Sequence, residues 1–128
     1  MNNLIILRGV PGSGKSTFSE FLKSLGSFGY HHETDKYFCI DGVYKFDPSK
    51  LGENHAKCFH DFKISVNNND GNIILSNTSV ATWEYEKYKQ YAESKGFRVF
   101  VITMSQQFQN IHGVPDEKVE SMKRKFQH

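Results

Sequence analysis

Eight consecutive residues near the N-terminus, Gly9-Val10-Pro11-Gly12-Ser13-Gly14-Lys15-Ser16, constrain this chain more than any other stretch. They have the spacing G-x-x-x-x-G-K-S, and they sit between two recognisable elements. Leu4-Ile5-Ile6-Leu7 before them is a short continuous apolar run, of the kind a buried parallel strand uses. After them Phe18, Phe21, Leu22 and Leu25 fall at i, i+3, i+4 and i+7, which predicts one apolar helix face, with Gly26 as the stop. Strand, glycine-rich loop and helix is the context a phosphate-binding loop requires. The glycines let the backbone curl until successive N–H groups point at phosphate oxygens, and the helix N-terminus adds its positive end. Gly9, Val10, Pro11, Gly12, Ser13, Gly14, Lys15, Ser16 and Thr17 are therefore the expected binding residues for a nucleoside triphosphate. Lys15 is expected to reach the β- and γ-phosphates, and the Ser16 hydroxyl to hold Mg²⁺.

The rest of the chain alternates strands with helices. Tyr30-His31-His32-Glu33-Thr34 predicts a weak second strand that ends at Asp35, followed by a loop through Asp41-Gly42. Asp47-Pro48 reads as an N-cap with proline at the first helical position. Leu51, His55, Cys58, Phe59, Phe62 and Val66 then form the stripe of a second helix, broken by the polar run from Asn67 to Gly71. Ile73-Ile74-Leu75 is the third strand, with Ser76-Asn77-Thr78-Ser79 at its C-terminal end. A third helix is expected from Thr82 to Lys95, closed by Gly96. Its Tyr85, Tyr88 and Ala92 form the core face better than a stacking platform for single-stranded nucleic acid, which leaves Trp83 unexplained. Val99-Phe100-Val101-Ile102 is the fourth strand, and Pro115 opens a last helix with Val119, Met122 and Phe126 on one face.

This order predicts an α/β, three-layer fold: a small, mostly parallel four-stranded sheet with helices on both faces. Ligands of such sheets bind beyond the carboxyl ends of the strands. That places the loop after Leu7, Asp35, the Ser76-Asn77-Thr78 turn and the loop after Ile102 on one rim. A carboxylate on that rim is placed to take a proton from an attacking hydroxyl, although Asp35 is equally suited to capping the turn through Phe38.

At 128 residues the chain is expected to form a single domain, residues 1–128. No apolar run is long enough to span a bilayer, and no signal-peptide pattern opens the sequence. Cys39 and Cys58 form no C-x-x-C pair and read as reduced thiols, so a cytoplasmic compartment is expected. The net charge of +2 does not by itself argue for a nucleic-acid partner. The six histidines lack zinc-ligand spacing.

Five stretches together resemble the polynucleotide-kinase-like P-loop family: R-G-V-P-G-S-G-K-S-T, T-D-K-Y-F, Y-K-F-D-P-S-K-L-G-E-N-H, I-I-L-S-N-T-S and N-I-H-G-V-P-D-E-K-V-E-S-M. They cover nearly the whole chain in order, and that family includes the 5′-hydroxyl kinase domain of bacteriophage polynucleotide kinase. The resemblance implies a P-loop NTPase fold and a phosphotransferase that uses ATP and Mg²⁺, with the catalytic roles on Lys15 and Asp35. Asp35 would activate the acceptor hydroxyl, most simply the 5′-hydroxyl of a nucleic acid. A small hydroxylated metabolite or nucleoside is the alternative acceptor, and a nucleotide-binding module with little turnover is the alternative outside enzymes. Three departures from the family pattern stand out. The turn after the third strand has no aspartate, the residues beside Asp35 are Lys36 and Phe38 where an arginine is usual, and the stretch from Met104 to Asn110 has no arginine.

Overall fold

The structure, a computed structural model, describes residues 2–10, 13–26, 28–68, 71–78 and 82–104. Among the described residues, six strands and three α-helices succeed one another along the chain. Strand β1 (Asn3–Arg8) leads to helix α1 (Lys15–Ser24), and β2 (Phe28–His32) leads into a 3₁₀ turn at Thr34–Phe38. Two short strands, β3 (Cys39–Ile40) and β4 (Val43–Tyr44), come next. A 3₁₀ turn at Pro48–Lys50 then opens α2 (Leu51–Asn67), and β5 (Asn72–Asn77), α3 (Trp83–Ser94) and β6 (Arg98–Thr103) complete the order.

β2, β5, β1 and β6 form one sheet in that order, and every pairing in it is parallel. Because side chains alternate along a strand, β1 and β5 serve two cores at once. Leu4 and Ile6 of β1 join Ile73 and Leu75 of β5 against α2 and α3, where Cys58, Phe62, Val66, Tyr85, Tyr88, Ala92 and Phe97 are buried. Leu7 and Ile74 point the other way, against Leu22 of α1, with Ile5, Phe18, Phe28 and Ile102 packed around them. The continuous apolar runs of the central strands thus have a direct cause: both faces are covered. The larger core is held by aromatic edges, with Tyr88 4.9 Å from the ring centre of Phe59 and 5.0 Å from that of Phe62. Burying a ring of that size contributes about 1.5–3 kcal/mol.

Several expectations are met in detail. Asp47 caps the turn before α2, its carboxylate accepting from the Ser49 N–H at 3.0 Å, with Pro48 in the first turn. Tyr85, Tyr88 and Ala92 are the buried face of α3, and Trp83 is 74% exposed. Others need correction. On α1 only Leu22 of the expected stripe is buried; Ser19 takes the inner face beside it, and Phe21 and Leu25 are more than half exposed. The second strand runs from Phe28 to His32, earlier than expected, so Asp35 lies inside the 3₁₀ turn whose N-cap position is Glu33. Residues 39–44, expected as loop, form the β3–β4 hairpin, with Cys39 opposite Tyr44 and Ile40 opposite Val43. Its two-residue turn has Asp41 at φ 52° and Gly42 at φ 80°. Two positive φ values in sequence make a type I′ turn, the kind whose twist matches a hairpin and for which Asp-Gly is a preferred pair. The last helix expected from Pro115 and the stretch from Ser105 onward lie outside the described residues. No helix among the described residues is long and apolar enough to cross a membrane, and both cysteines are free, Cys39 exposed and Cys58 buried.

Candidate functional site

The site is assembled where β1, β2 and β5 end. The chain leaves β1 at Arg8 and turns at once, with the Gly9 N–H donating to the Thr78 carbonyl at 3.1 Å, so that the loop is tied to the end of β5. The Ser13 N–H donates to the Val10 carbonyl at 3.1 Å, and Gly14, at φ 95°, occupies the N-cap position of α1. That left-handed conformation is open to glycine without penalty. Helix α1 then starts at Lys15. Pro11 and Gly12 lie outside the described residues. Ser16 is half-buried in the first turn and Thr17 is exposed.

Gly9 is needed for a second reason. A Cβ built there would stand 2.4 Å from Ser13 Oγ and 2.9 Å from the Met104 carbonyl oxygen, the latter fixed by the Met104 N–H bond to the Arg8 carbonyl at 2.7 Å. The serine could turn away, but the backbone oxygen could not move without loosening the end of β6. Gly9→Ala is expected to destabilise the fold by about 1–3 kcal/mol, as overpacking of a tight site does. Urea unfolding against the wild type measures this, and an unchanged midpoint would show that the β1–β6 end is free to give.

The Lys15 side chain folds back over the loop, its Nζ donating to the Gly9 carbonyl at 2.5 Å and the Val10 carbonyl at 3.2 Å. Burial lowers its pKa from 10.5 to about 8, against the opposing pull of the Asp35 and then the Glu33 carboxylate. The structure therefore brings Lys15 and Asp35, residues far apart in sequence, into one electrostatic neighbourhood. The Ser13 hydroxyl, 1% exposed, is oriented into the loop with no hydrogen-bond partner among the described residues. A glycine that excludes a Cβ, an orphaned buried hydroxyl and a desolvated lysine are the features expected of a cradle shaped for phosphate. The oxygens of Ser16 and the rim carboxylates suit a hard cation such as Mg²⁺.

Asp35 is half-buried and held from two sides. Its turn is fixed to β5 by the Thr34 N–H, which donates to Asn77 Oδ1 at 2.8 Å, and to α2 by Thr34 Oγ1, 3.0 Å from His55 Nδ1. Tyr37 in the same turn donates its hydroxyl to Asp61 of α2. Tyr44 of the hairpin stands near Asp35: burial first, and the Asp35 charge second, push the Tyr44 phenol up to about 12.

Residues that sequence reasoning passed over lie beside these. Arg8 is 1% exposed, with its guanidinium 5.1 Å from the centre of the Tyr85 ring, so a buried cation sits under the start of the loop. Burial lowers its pKa, and the Tyr85 and Glu84 charges counter this. Glu33, His31 and Ser76 form a compact cluster at the ends of β2 and β5. The one signal for the hairpin and its Tyr44 was the Asp41-Gly42 pair.

No family model matches the chain. Among curated proteins it is 32% identical over 133 residues to human NEDD4-binding protein 2, covering 97% of this chain and 8% of that protein. It is 30% identical over 136 residues to the Pasteurella multocida protein PM0531, itself described as uncharacterized, covering 95% of this chain and 75% of that one. Among solved structures, a chain of the Pnkp1/Rnl/Hen1 complex superposes with a TM-score of 0.65 at 17% identity, over 94% of this chain and 38% of that one. A gluconokinase from Sinorhizobium meliloti gives 0.64 at 13% identity, over 98% and 75%. The APS kinase of Mycobacterium tuberculosis gives 0.57 at 17%, over 97% and 96%. The fold is accordingly that of the small P-loop kinases, and by its likeness over most of both sequences the chain belongs to the same family as PM0531 of Pasteurella multocida.

Proposed function

We propose that this protein is an ATP:hydroxyl phosphotransferase, and that its acceptor is the 5′-hydroxyl of a polynucleotide. The observation that carries the reading is the meeting of Lys15 and Asp35 on one rim. A cation that follows the transferring phosphoryl group and a carboxylate that takes the acceptor's proton are the two groups such a reaction asks of the protein. Residues 9–17 would hold the triphosphate through backbone N–H groups and Lys15. Mg²⁺, with Ser16 as its protein ligand, would neutralise charge on the β- and γ-phosphate oxygens. Asp35, bordered by Tyr44 and steadied by the tie of its turn to Asn77, would accept the proton as the hydroxyl oxygen attacks. Two free cysteines accord with a cytoplasmic setting.

The acceptor is supported by the T-D-K-Y-F and H-G-V-P resemblance and by the likeness to a chain of the Pnkp1/Rnl/Hen1 RNA repair complex. The gluconokinase and APS kinase likenesses favour a small hydroxylated metabolite as the second reading. Incubation with γ-labelled ATP and either a 5′-hydroxyl oligonucleotide or a panel of nucleosides and polyols separates them. Label on the oligonucleotide alone supports the proposal. Label on the small molecules alone replaces the acceptor, and nucleotide binding without transfer replaces the enzyme with a binding module.

Tyr44 borders Asp35 and not the phosphates, so Tyr44→Phe is expected to lower transfer by up to about tenfold, the scale of one polar contact, while ATP affinity stays close to that of the wild type. An unchanged rate would remove Tyr44 from the site.

A further inference from the structure

The rim holds one carboxylate that the proposed reaction has not used. β2 pairs with β5 in parallel, His31 opposite Ile74 and His32 opposite Leu75, so the next step along both strands sets Glu33 beside Ser76. The alternation of side chains puts Ser76 on the same face as Ile74, the face covered by α1. Glu33 is on that face too, because the Ser76 hydroxyl donates to Glu33 Oε2 at 3.1 Å. His31 closes the cluster, its Nε2 2.6 Å from Ser76 Oγ and 3.6 Å from Glu33 Oε2. Glu33 is near enough to the loop for its charge to act on Lys15.

A phosphate loop of this kind divides its Mg²⁺ contacts between its own Ser or Thr and an acidic residue at the end of a neighbouring strand. Here the end of β5 offers only Ser76, Asn77 and Thr78, which are neutral. We propose that the carboxylate on the Mg²⁺ side of the loop comes instead from Glu33 at the end of β2, with Ser76 and His31 holding it toward the loop. The acidic group then stands one strand over from the end of β5, beside the neutral Ser76 hydroxyl. The donor set is then the Ser16 hydroxyl and one carboxylate, all hard oxygen, and Mg²⁺ at phosphate sites characteristically uses one or two carboxylates together with phosphate and water. His31 suits the holding role by geometry: with the Ser76 hydroxyl hydrogen committed to Glu33, the His31 Nε2–H donates to Ser76 Oγ at 2.6 Å and completes the chain that fixes the carboxylate. Asp35, two residues further along the same turn, keeps its separate task on the acceptor side. This inference rests on the nucleotide-binding reading of residues 9–17.

The test is calorimetric titration of the full chain with a non-hydrolysable ATP analogue, with Mg²⁺ and with a chelator, supplemented by Mn²⁺ binding followed by paramagnetic resonance. Glu33→Gln keeps the side chain's size and an acceptor for Ser76, and its folding is checked by circular dichroism. It is expected to leave metal-free nucleotide affinity unchanged and to lower metal affinity in the ternary complex about 10–100-fold. The paired variant Glu33→Gln with Ser76→Asp returns the charge to the end of β5 and is expected to restore most of the metal dependence. Undiminished metal dependence in folded Glu33→Gln overturns the assignment while leaving the nucleotide site standing. Failure of the paired variant to recover would mean that Glu33 acts only through the packing of β2, which also overturns it. A wild-type protein that binds no nucleotide would refute the reading of the loop itself, and this inference with it.

Discussion

Replacing Lys15 with alanine is expected to cut phosphoryl transfer by about 10²–10³, the cost of removing one positioned charge from a developing anion. The backbone cradle is untouched, since Gly9, Ser13 and Gly14 hold their positions through main-chain bonds and Lys15 contributes to the loop only its contacts with the Gly9 and Val10 carbonyls. Nucleotide should still bind, more weakly, and circular dichroism should be unchanged. Turnover like that of the wild type would refute the assignment. The same residue sets a pH dependence. In the free protein Lys15 loses its proton near pH 8, so kcat/KM for ATP should fall as pH rises through about 8. Bound phosphates favour the ammonium, so kcat should persist to higher pH. Stability has the opposite slope. Between about 8 and 10.5 the unfolded chain retains a proton that the folded chain has released, so the contribution of Lys15 to stability rises with pH over that window.

Asp35→Asn is expected to lower transfer by about 10²–10⁴, the usual contribution of a positioned base. Asparagine keeps the volume, so the turn and its ties through Thr34 should survive. ATP affinity should hardly change, because the nucleotide is held by a different loop. Two other outcomes have different meanings. If Mg²⁺-dependent affinity falls along with the rate, Asp35 serves the metal. If neither moves, the residue only supports the 3₁₀ turn, and the acceptor-side reading is wrong. Measuring ATP binding with and without Mg²⁺, alongside transfer, on this one variant separates the three.

What the sequence revealed of this protein depended on how local each signal was. Leu4–Leu7 and Ile73–Leu75 announced parallel strands because burial on both faces requires unbroken apolar runs, whereas Val99–Ile102 was legible as an apolar run although it lies on an edge strand with Phe100 and Val101 exposed. β2 was less legible because it is an edge strand written Phe-Gly-Tyr-His-His, with only half of its character apolar. On α1, periodicity pointed to Phe21 and Leu25, but the orientation of the helix is set by the loop that starts it, and that loop turns Ser19 inward beside Leu22. The hairpin escaped notice because two-residue strands carry no periodicity. Lys15 was legible from eight consecutive residues. Glu33 and Ser76 are 43 positions apart, and neither is informative until strand pairing sets them side by side.

The order of strands in the sheet has a consequence for how the protein comes into being. Within these 128 residues β1 is made before both of its sheet partners, β5 and β6. The contacts that seat it join residues 69 and 95 positions apart, as at Asn3 with Asn72 and Asn3 with Arg98. Closing loops of that length precedes any gain from the contacts they permit, which slows folding. An apolar strand and the glycine loop attached to it must therefore wait, without a sheet to join, until β5 has been synthesised. β1 is in this sense made well before it can take its place, and a nascent chain stalled before residue 72 presents Leu4–Leu7 to solvent or to a chaperone.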